Sequence, residues 1–395
     1  MSNSTPTMTI TLRPRDDRRL RRGHLWIFSN EIASIDGNPA AGDRVVVQAS
    51  HGGAVGSGIY NPHSLIAVRM TGGINEEIDS EWFRARINRA LALRRQLYPQ
   101  ATTYRLLHSE SDGVPGVIVD RFGAVCAVQI AALGMEQRRE MLYDALMEIE
   151  GVTGIVERND HPLRTLEGLP QNVGLARGDA PPQTISDGIL QYTVDPLGGQ
   201  KTGFFLDQRE NRIAMRRYAT GRRVLDLYTN VGGFALHASH AGASEVVAVD
   251  SSGEAIAALE RNRALNSLPA LQTHTADVSE ALIDLADSGR RFDLVIADPP
   301  PFARSRKHVP AARRKYVEIF SAALRAVAGG GVAFLASCSH HIARETFFEI
   351  VRESLWRADR IATILEERGA APDHPIHPLM PETAYLHAAV LAVQG

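Results

Sequence analysis

The chain has 395 residues, 44% of them hydrophobic and 22% charged, which is the profile of a folded globular protein rather than a disordered or fibrous one. With 43 Lys plus Arg against 45 Asp plus Glu, the net charge of −2 excludes a protein that coats nucleic acid through bulk charge. Two cysteines, Cys126 and Cys338, are too few for a disulfide framework or a thiolate zinc site, so no metal is expected and a reducing cytoplasm is. No apolar run reaches the roughly 20 residues that span a bilayer, and the first residues have no signal-peptide core, so no membrane contact is expected.

Charge is unevenly spread. Residues 1–75 carry 8 basic and 5 acidic groups, residues 76–195 carry 12 and 18, and residues 196–395 carry 23 and 22. Only Lys201, Lys307 and Lys315 are lysines; arginine supplies the rest of the basic side chains.

Taken in chain order, residues 8–75 read as short strands broken by glycine, the pattern of a small β barrel. Arg13, Arg15, Arg18, Arg19, Arg21 and Arg22 precede Trp26 and Phe28. Such a run is either a solvated helix face or a nucleic-acid surface, in which guanidinium groups such as Arg19 and Arg22 hold phosphate while Trp26 stacks on a base. Residues 76–195 read as a central α+β domain. It opens with a helix from Ser80 to Leu97 whose apolar side carries Trp82, Ile87, Leu91 and Leu93. A helix from Met135 to Ile149 comes after its first strands, and a glycine- and proline-rich loop runs from Gly168 to Pro182. Cys126 is assigned to a buried strand as a small hydrophobe.

From residue 196 to 395, strands alternate with helices as in a doubly wound, Rossmann-like α/β domain, closing with an antiparallel pair into a seven-stranded mixed sheet. The first strand ends in a turn, Tyr228-Thr-Asn230-Val-Gly232-Gly233, that serves either a dinucleotide or S-adenosylmethionine. Acid placement separates them. Asp226, just before the turn, opposes a pyrophosphate but pairs with the ammonium of a methionine moiety. Asp250, with Ser251 after it, ends the second strand, where a carboxylate accepts from ribose hydroxyls, and Asp277 with Val278 comes after the third, placed to accept from an adenine amino group. Each acid taken singly is equally a loop residue or a helix cap.

The fourth strand ends in Asp298-Pro299-Pro300-Pro301-Phe302, whose prolines hold an acid beside an incoming base. Arg304, Arg306 and Lys307 come next, with no acid before Glu318, as in either a polyanion-binding loop or a solvated one. The fifth strand runs into Ser337-Cys338-Ser339, with a helix expected from Ile342 whose dipole favours thiolate at Cys338. A thiolate there adds to carbon 6 of a pyrimidine and makes carbon 5 nucleophilic; a merely packed cysteine is the other reading.

Gly199-Gln200-Lys201-Thr202-Gly203-Phe204-Phe205-Leu206-Asp207-Gln208-Arg209, Asp298-Pro-Pro-Pro-Phe302, Ser337-Cys338-Ser339 and Asp373-His374-Pro375 to Pro381-Glu382 resemble the RlmI-type large-subunit ribosomal RNA methyltransferases. Gly23-His24-Leu25-Trp26-Ile27-Phe28 resembles the start of that family's PUA domain, an RNA-binding barrel. The resemblance implies S-adenosylmethionine-dependent methylation of cytosine carbon 5 in 23S ribosomal RNA. It implies Cys338 as nucleophile and Asp298 facing the base, with Lys201, Thr202, Asp207 and Arg209 as cofactor or substrate contacts; Tyr228, Asn230, Gly232, Asp298 and Pro299, at the strand-end turns, are expected around the cofactor. Asn230 replaces the first glycine of the usual turn but tolerates left-handed geometry, so the turn is expected to survive. His387 stands where relatives often have lysine. Methylation of a guanine ring nitrogen, a non-catalytic RNA-binding assembly factor and a nicotinamide dehydrogenase are the competing readings. Oligomeric state is open, a homodimer being one arrangement.

Overall fold

The computed structural model describes residues 8–199, 204–303 and 305–395. The chain divides into two compact units, Met1–Ile185 with Val194–Phe204 and Pro372–Thr383, and Ser186–Thr193 with Phe205–Ala371 and Ala384–Gly395. Among the described residues no helix is long and apolar enough to cross a membrane.

In the first unit, strands Thr9–Leu12 (β1), Trp26–Phe28 (β2), Ile32–Asp36 (β3), Arg44–Gln48 (β4), Ala54–Tyr60 (β5) and Ile66–Gly72 (β6) form one sheet in the order β2-β6-β5-β4-β1-β3. Side chains alternate along β1, so Ile10 and Leu12 enter a core with Ile27, Val45, Val47 and Val68. A short helix, Asp17–Arg21, buries Leu20. The helix expected over residues 80–97 is present as Ser80–Leu97, with the Asp79 carboxylate accepting from Trp82 N at 2.8 Å as its N-cap. Trp82, Phe83, Ile87 and Leu91 are buried on it, but Leu93 is exposed, because two residues along a helix turn the side chain to the far face.

Thr103–His108 (β7), Val117–Phe122 (β8), Val125–Ile130 (β9), Gly154–Asn159 (β10) and Asn172–Gly178 (β11) make a second sheet, ordered β11-β10-β9-β8-β7. Two expectations are corrected here. The stretch from Gly168 to Pro182 is not a plain loop: β11 pairs antiparallel with β10 from Asn172 opposite Asn159 to Gly178 opposite Gly154. It is an edge strand with Val173 and Leu175 exposed, so it lacks the apolar signature of a buried one. The helix read from Met135 to Ile149 is two, Leu133–Glu136 and Arg139–Met147. Gln137 and Arg138 at the break spend their side chains on backbone carbonyls of Ala41 and Gly42, at 3.0 and 3.1 Å.

Gln183–Ser186 (β12) and Gln191–Val194 (β13) span the residues where the chain passes between units. The second unit is built on Arg223–Leu227 (β14), Glu245–Asp250 (β15), Gln272–Thr275 (β16), Phe292–Ala297 (β17), Val327–Ser337 (β18), Ala362–Arg368 (β19) and His387–Val393 (β20). They form the expected seven-stranded mixed sheet, ordered β16-β15-β14-β17-β18-β20-β19, with β20 antiparallel to both its neighbours. Buried runs such as Leu225, Val247, Val295 and Leu335 pack against Phe320 and Phe347 of the flanking helices. The strand order reverses between β15 and β17 on either side of β14, which opens a crevice at the carboxyl ends. The helix after β18 starts at Arg344 with Ala343 as N-cap, not at Ile342.

Candidate active site

The crevice is lined by the segments that leave the carboxyl ends of β14, β15, β16, β17 and β18. Beyond β14 the backbone turns left-handed three times, at Tyr228 (φ 60°), Asn230 (φ 50°) and Gly232 (φ 89°). The turn expected to survive Asn230 is therefore present, and Gly232 is needed in it: a Cβ there would sit 2.6 Å from Leu259 Cγ. Asp226 is buried at the base of this turn. One carboxylate oxygen accepts from Thr229 Oγ1 at 2.6 Å and from Ala235 N at 2.9 Å, while the other, Oδ1, has no partner among the described residues. Burial, with Asp298 and Asp250 adding repulsion against the hydrogen bonds from Thr229 and Ala235, pushes its acid up to about 7.

Asp250 closes β15 and accepts from Asn230 N and Ser252 N, both at 2.9 Å, so it ties the second strand end to the turn after the first. Ser251 beside it is exposed. Asp277 is the N-cap of the helix Val278–Asp287, accepting from Ser279 N at 2.7 Å, and the Val278 side chain lies in the core. Tyr228 is half-buried, and burial next to Asp277 holds its hydroxyl well above the usual phenol range.

After β17, Asp298 accepts from Gln208 Nε2 at 2.9 Å, and Gln208 in turn takes a hydrogen bond from Asn211 at 2.6 Å. Gln208 is not among the residues the sequence points to, although its neighbours Asp207 and Arg209 are. Asp207 accepts from the Tyr385 hydroxyl at 2.7 Å, and Arg209 is buried. Lys201, Thr202 and Arg304 lie outside the described residues. Because β17 and β18 are parallel neighbours, with Ala297 opposite Leu335, the segments beyond them run side by side. Cys338 is half-buried with Sγ 3.8 Å from the Pro299 carbonyl oxygen. The helix-dipole argument for Cys338 fails, since four residues lie between it and the N-cap Ala343 and the effect is confined to the first turn. His387, half-buried at the start of β20, has its imidazolium disfavoured by burial.

The basic residues after Asp298 split. Arg306 and Lys307 are exposed in the turn Arg306–His308 and carry no ion pair among the described residues, whereas Arg313 pairs with Glu349 and Glu353. In the first unit Arg19 is committed to Glu31 at 2.6 Å and to the Trp26 carbonyl at 2.9 Å, while Arg22 is exposed. Trp26 is half-buried and donates through Nε1 to Glu110 at 2.8 Å.

A PUA-like domain model matches residues 10–71, and a model of S-adenosylmethionine-dependent methyltransferases matches residues 180–372. A protein of Photobacterium profundum named ribosomal RNA large subunit methyltransferase I is 37% identical over 388 residues, covering 96% of this chain and 98% of its own. One of Shewanella frigidimarina with the same name is 37% identical over 392 residues, covering 97% and 99%. The chain belongs to the ribosomal RNA large subunit methyltransferase I family. Two solved structures share the fold of this family member: an S-adenosylmethionine-dependent methyltransferase from Streptococcus mutans, at TM-score 0.84, 17% identity and coverage of 98% of this chain and 100% of that one; and a methyltransferase complexed with SAH, at TM-score 0.85, 18% identity and the same coverage.

The family's cofactor is S-adenosylmethionine, and the residues present fit it. A buried carboxylate oxygen without a donor, as at Asp226 Oδ1, is relieved by an ammonium group. That same oxygen would repel a pyrophosphate, which argues against a dinucleotide.

Proposed function

We propose that this chain methylates carbon 5 of a cytosine in large-subunit ribosomal RNA through a covalent adduct to Cys338. The relatives that match it over nearly their whole length are named for methylating large-subunit ribosomal RNA. The observation that carries the finer reading is the placement of Cys338: a half-buried thiol at the carboxyl end of β18, against the Asp298-Pro299 segment at the end of β17. Cys126 offers no alternative, since it is fully buried and its thiol is pushed up to about 12 by that burial.

When bound, the cofactor supplies an electrophilic methyl group. Asp226 would hold its ammonium, Asp250 its ribose, Asp277 and the Val278 backbone its adenine, with Tyr228, Asn230, Gly232, Ser251 and Pro299 around them. The Cys338 thiolate forms a bond to carbon 6, and the electrons of the carbon 5–carbon 6 double bond become available at carbon 5. Asp298, steadied by Gln208, hydrogen-bonds the cytosine ring. Once carbon 5 carries the methyl group, loss of its proton restores the double bond and expels the thiolate. Arg22, Trp26, Arg306 and Lys307 are the candidate RNA contacts. We read residues 8–75, 76–195 and 196–395 as RNA-binding, central and catalytic parts of a cytoplasmic enzyme.

Mass-spectrometric mapping of ribosomal RNA from cells with and without the gene tests this. Loss of one 5-methylcytosine in the large-subunit RNA is the expected result; loss of a methylated guanine instead overturns the chemistry. Light scattering of the purified chain reads whether two copies pair.

A further inference from the structure

The two serines that flank Cys338 differ from it in burial. Ser337 and Ser339 are fully buried and Cys338 is half-exposed, as alternation at the end of a strand requires. Buried hydroxyls need partners, and Ser339 finds one in a buried phenol. The Tyr316 hydroxyl lies 2.8 Å from Ser339 Oγ, and Ser337 Oγ accepts from Ser339 N at 3.4 Å. Ser339 Oγ accepts in addition from Ala303 N at 3.4 Å. Tyr316 is itself fully buried on the helix Val309–Ala326, its ring 4.8 Å from that of Phe302 and 5.5 Å from that of Phe320.

One phenol thus meets both segments that converge on the crevice: its ring packs on Phe302 at the end of Asp298-Pro-Pro-Pro-Phe302, and its hydroxyl bonds Ser339, which also accepts from Ala303 N. We infer that Tyr316 is a positioning residue, whose hydroxyl fixes the Cys338 thiol relative to the Asp298–Phe302 segment where the base must sit. The inference rests on the covalent role proposed for Cys338. Burial keeps the phenol protonated, its acid pushed up to about 12, so it holds Ser339 as a neutral hydroxyl across the working pH range.

The test compares Tyr316→Phe, Ser339→Ala and Cys338→Ala. Tyr316→Phe keeps the ring between Phe302 and Phe320 and removes only the hydroxyl. Large-subunit RNA from cells lacking the gene serves for steady-state kinetics, and a large-subunit transcript carrying 5-fluorocytidine, from which the carbon 5 substituent cannot leave, traps the adduct. For Tyr316→Phe the expected result is kcat lower by about 10- to 100-fold, with KM and cofactor affinity unchanged and adduct formation slowed in proportion. Ser339→Ala moves the same quantities in the same direction by a smaller factor, and it decides the matter alone should Tyr316→Phe not fold. Wild-type kcat and trapping rate in both variants, with Cys338→Ala inactive, overturn the positioning role and leave the thiolate mechanism standing. Full methyl transfer by Cys338→Ala instead sinks the thiolate mechanism, and with it the reason for positioning that thiol.

Discussion

The acid at the crevice of the second unit is treated differently from the buried acids of the first. In the first, Asp112 accepts from both terminal nitrogens of the Arg94 guanidinium at 2.6 and 2.7 Å, and Asp120 accepts from two of Arg105 at 2.8 and 2.9 Å; every carboxylate oxygen of the two is taken. In the second, Asp226 is equally buried yet leaves Oδ1 without a donor among the described residues. The two cysteines divide along the same line, Cys126 sealed inside β9 and Cys338 half-open at the end of β18. Polar groups closed by the chain itself hold the fold; those left open at strand ends are available to something that is not the chain.

The sharpest way to break that comparison is to exchange the cysteines' fates. Cys338→Ala is expected to lower methyl transfer by at least about 10³-fold with folding intact, as loss of a covalent nucleophile does. Cys126→Ser should leave turnover alone and cost about 1–3 kcal/mol of stability, because it buries a hydroxyl without an arranged partner. Turnover on the RNA and thermal melts of both variants give the answer. A fully active Cys338→Ala ends the distinction. Next in size is Arg94→Leu, which strands Asp112 in the first unit. It should cost about 3–5 kcal/mol of folding stability, seen in a denaturant midpoint, without altering cofactor affinity in the protein that remains folded.

How far the sequence anticipates this division depends on range. The seven-stranded sheet is legible because parallel buried strands such as Phe292–Ala297, apolar but for Asp293, are near-continuous apolar runs between turns. The acids closing β14, β15 and β17 are legible because a strand end is a local address. β11 is not, since an edge strand with Gly174 and Gly178 has no apolar period, and the helix at Arg344 is misplaced because Ala343 is no capping side chain. Gln208 and Tyr316 escape for one shared reason: each matters through a partner far along the chain, Asp298 for Gln208 and Ser339 for Tyr316, and no spacing rule connects them.

Asp226 gives the comparison a pH signature. Its acid sits at about 7 in the fold, above the ordinary carboxylate value of 3.8, so the folded chain holds the proton more tightly than the unfolded one. Its contribution to stability therefore falls as pH rises between those two values and stays low above 7. Asp226→Asn should melt higher than the parent at pH 8, with the advantage gone near pH 4. The same substitution removes the charge proposed to meet the ammonium, so cofactor affinity should drop about tenfold or more. In the parent, affinity should rise from pH 6 to pH 8 as the carboxylate ionises. Titration calorimetry in buffers of different ionisation enthalpy reads the accompanying proton release, and an affinity flat across that range would remove Asp226 from the ammonium site.

The smallest effects divide the arginines by the same criterion of closure. Arg19 is taken by Glu31 and by the Trp26 carbonyl, so Arg19→Ala should loosen the first sheet, lowering its melting point with little change in how RNA affinity responds to salt. Arg306 and Lys307 are exposed and unpaired among the described residues, so each is free to meet a phosphate. Arg306→Ala and Lys307→Ala should each weaken RNA binding only a few-fold at moderate salt, while reducing the slope of log affinity against log salt by about 1. The slope separates the two classes where affinity alone does not: a residue that shapes the protein changes affinity equally at all salt concentrations, and one that displaces a counterion changes the slope. An unaltered slope in both loop variants would return Arg306 and Lys307 to the reading of a solvated surface.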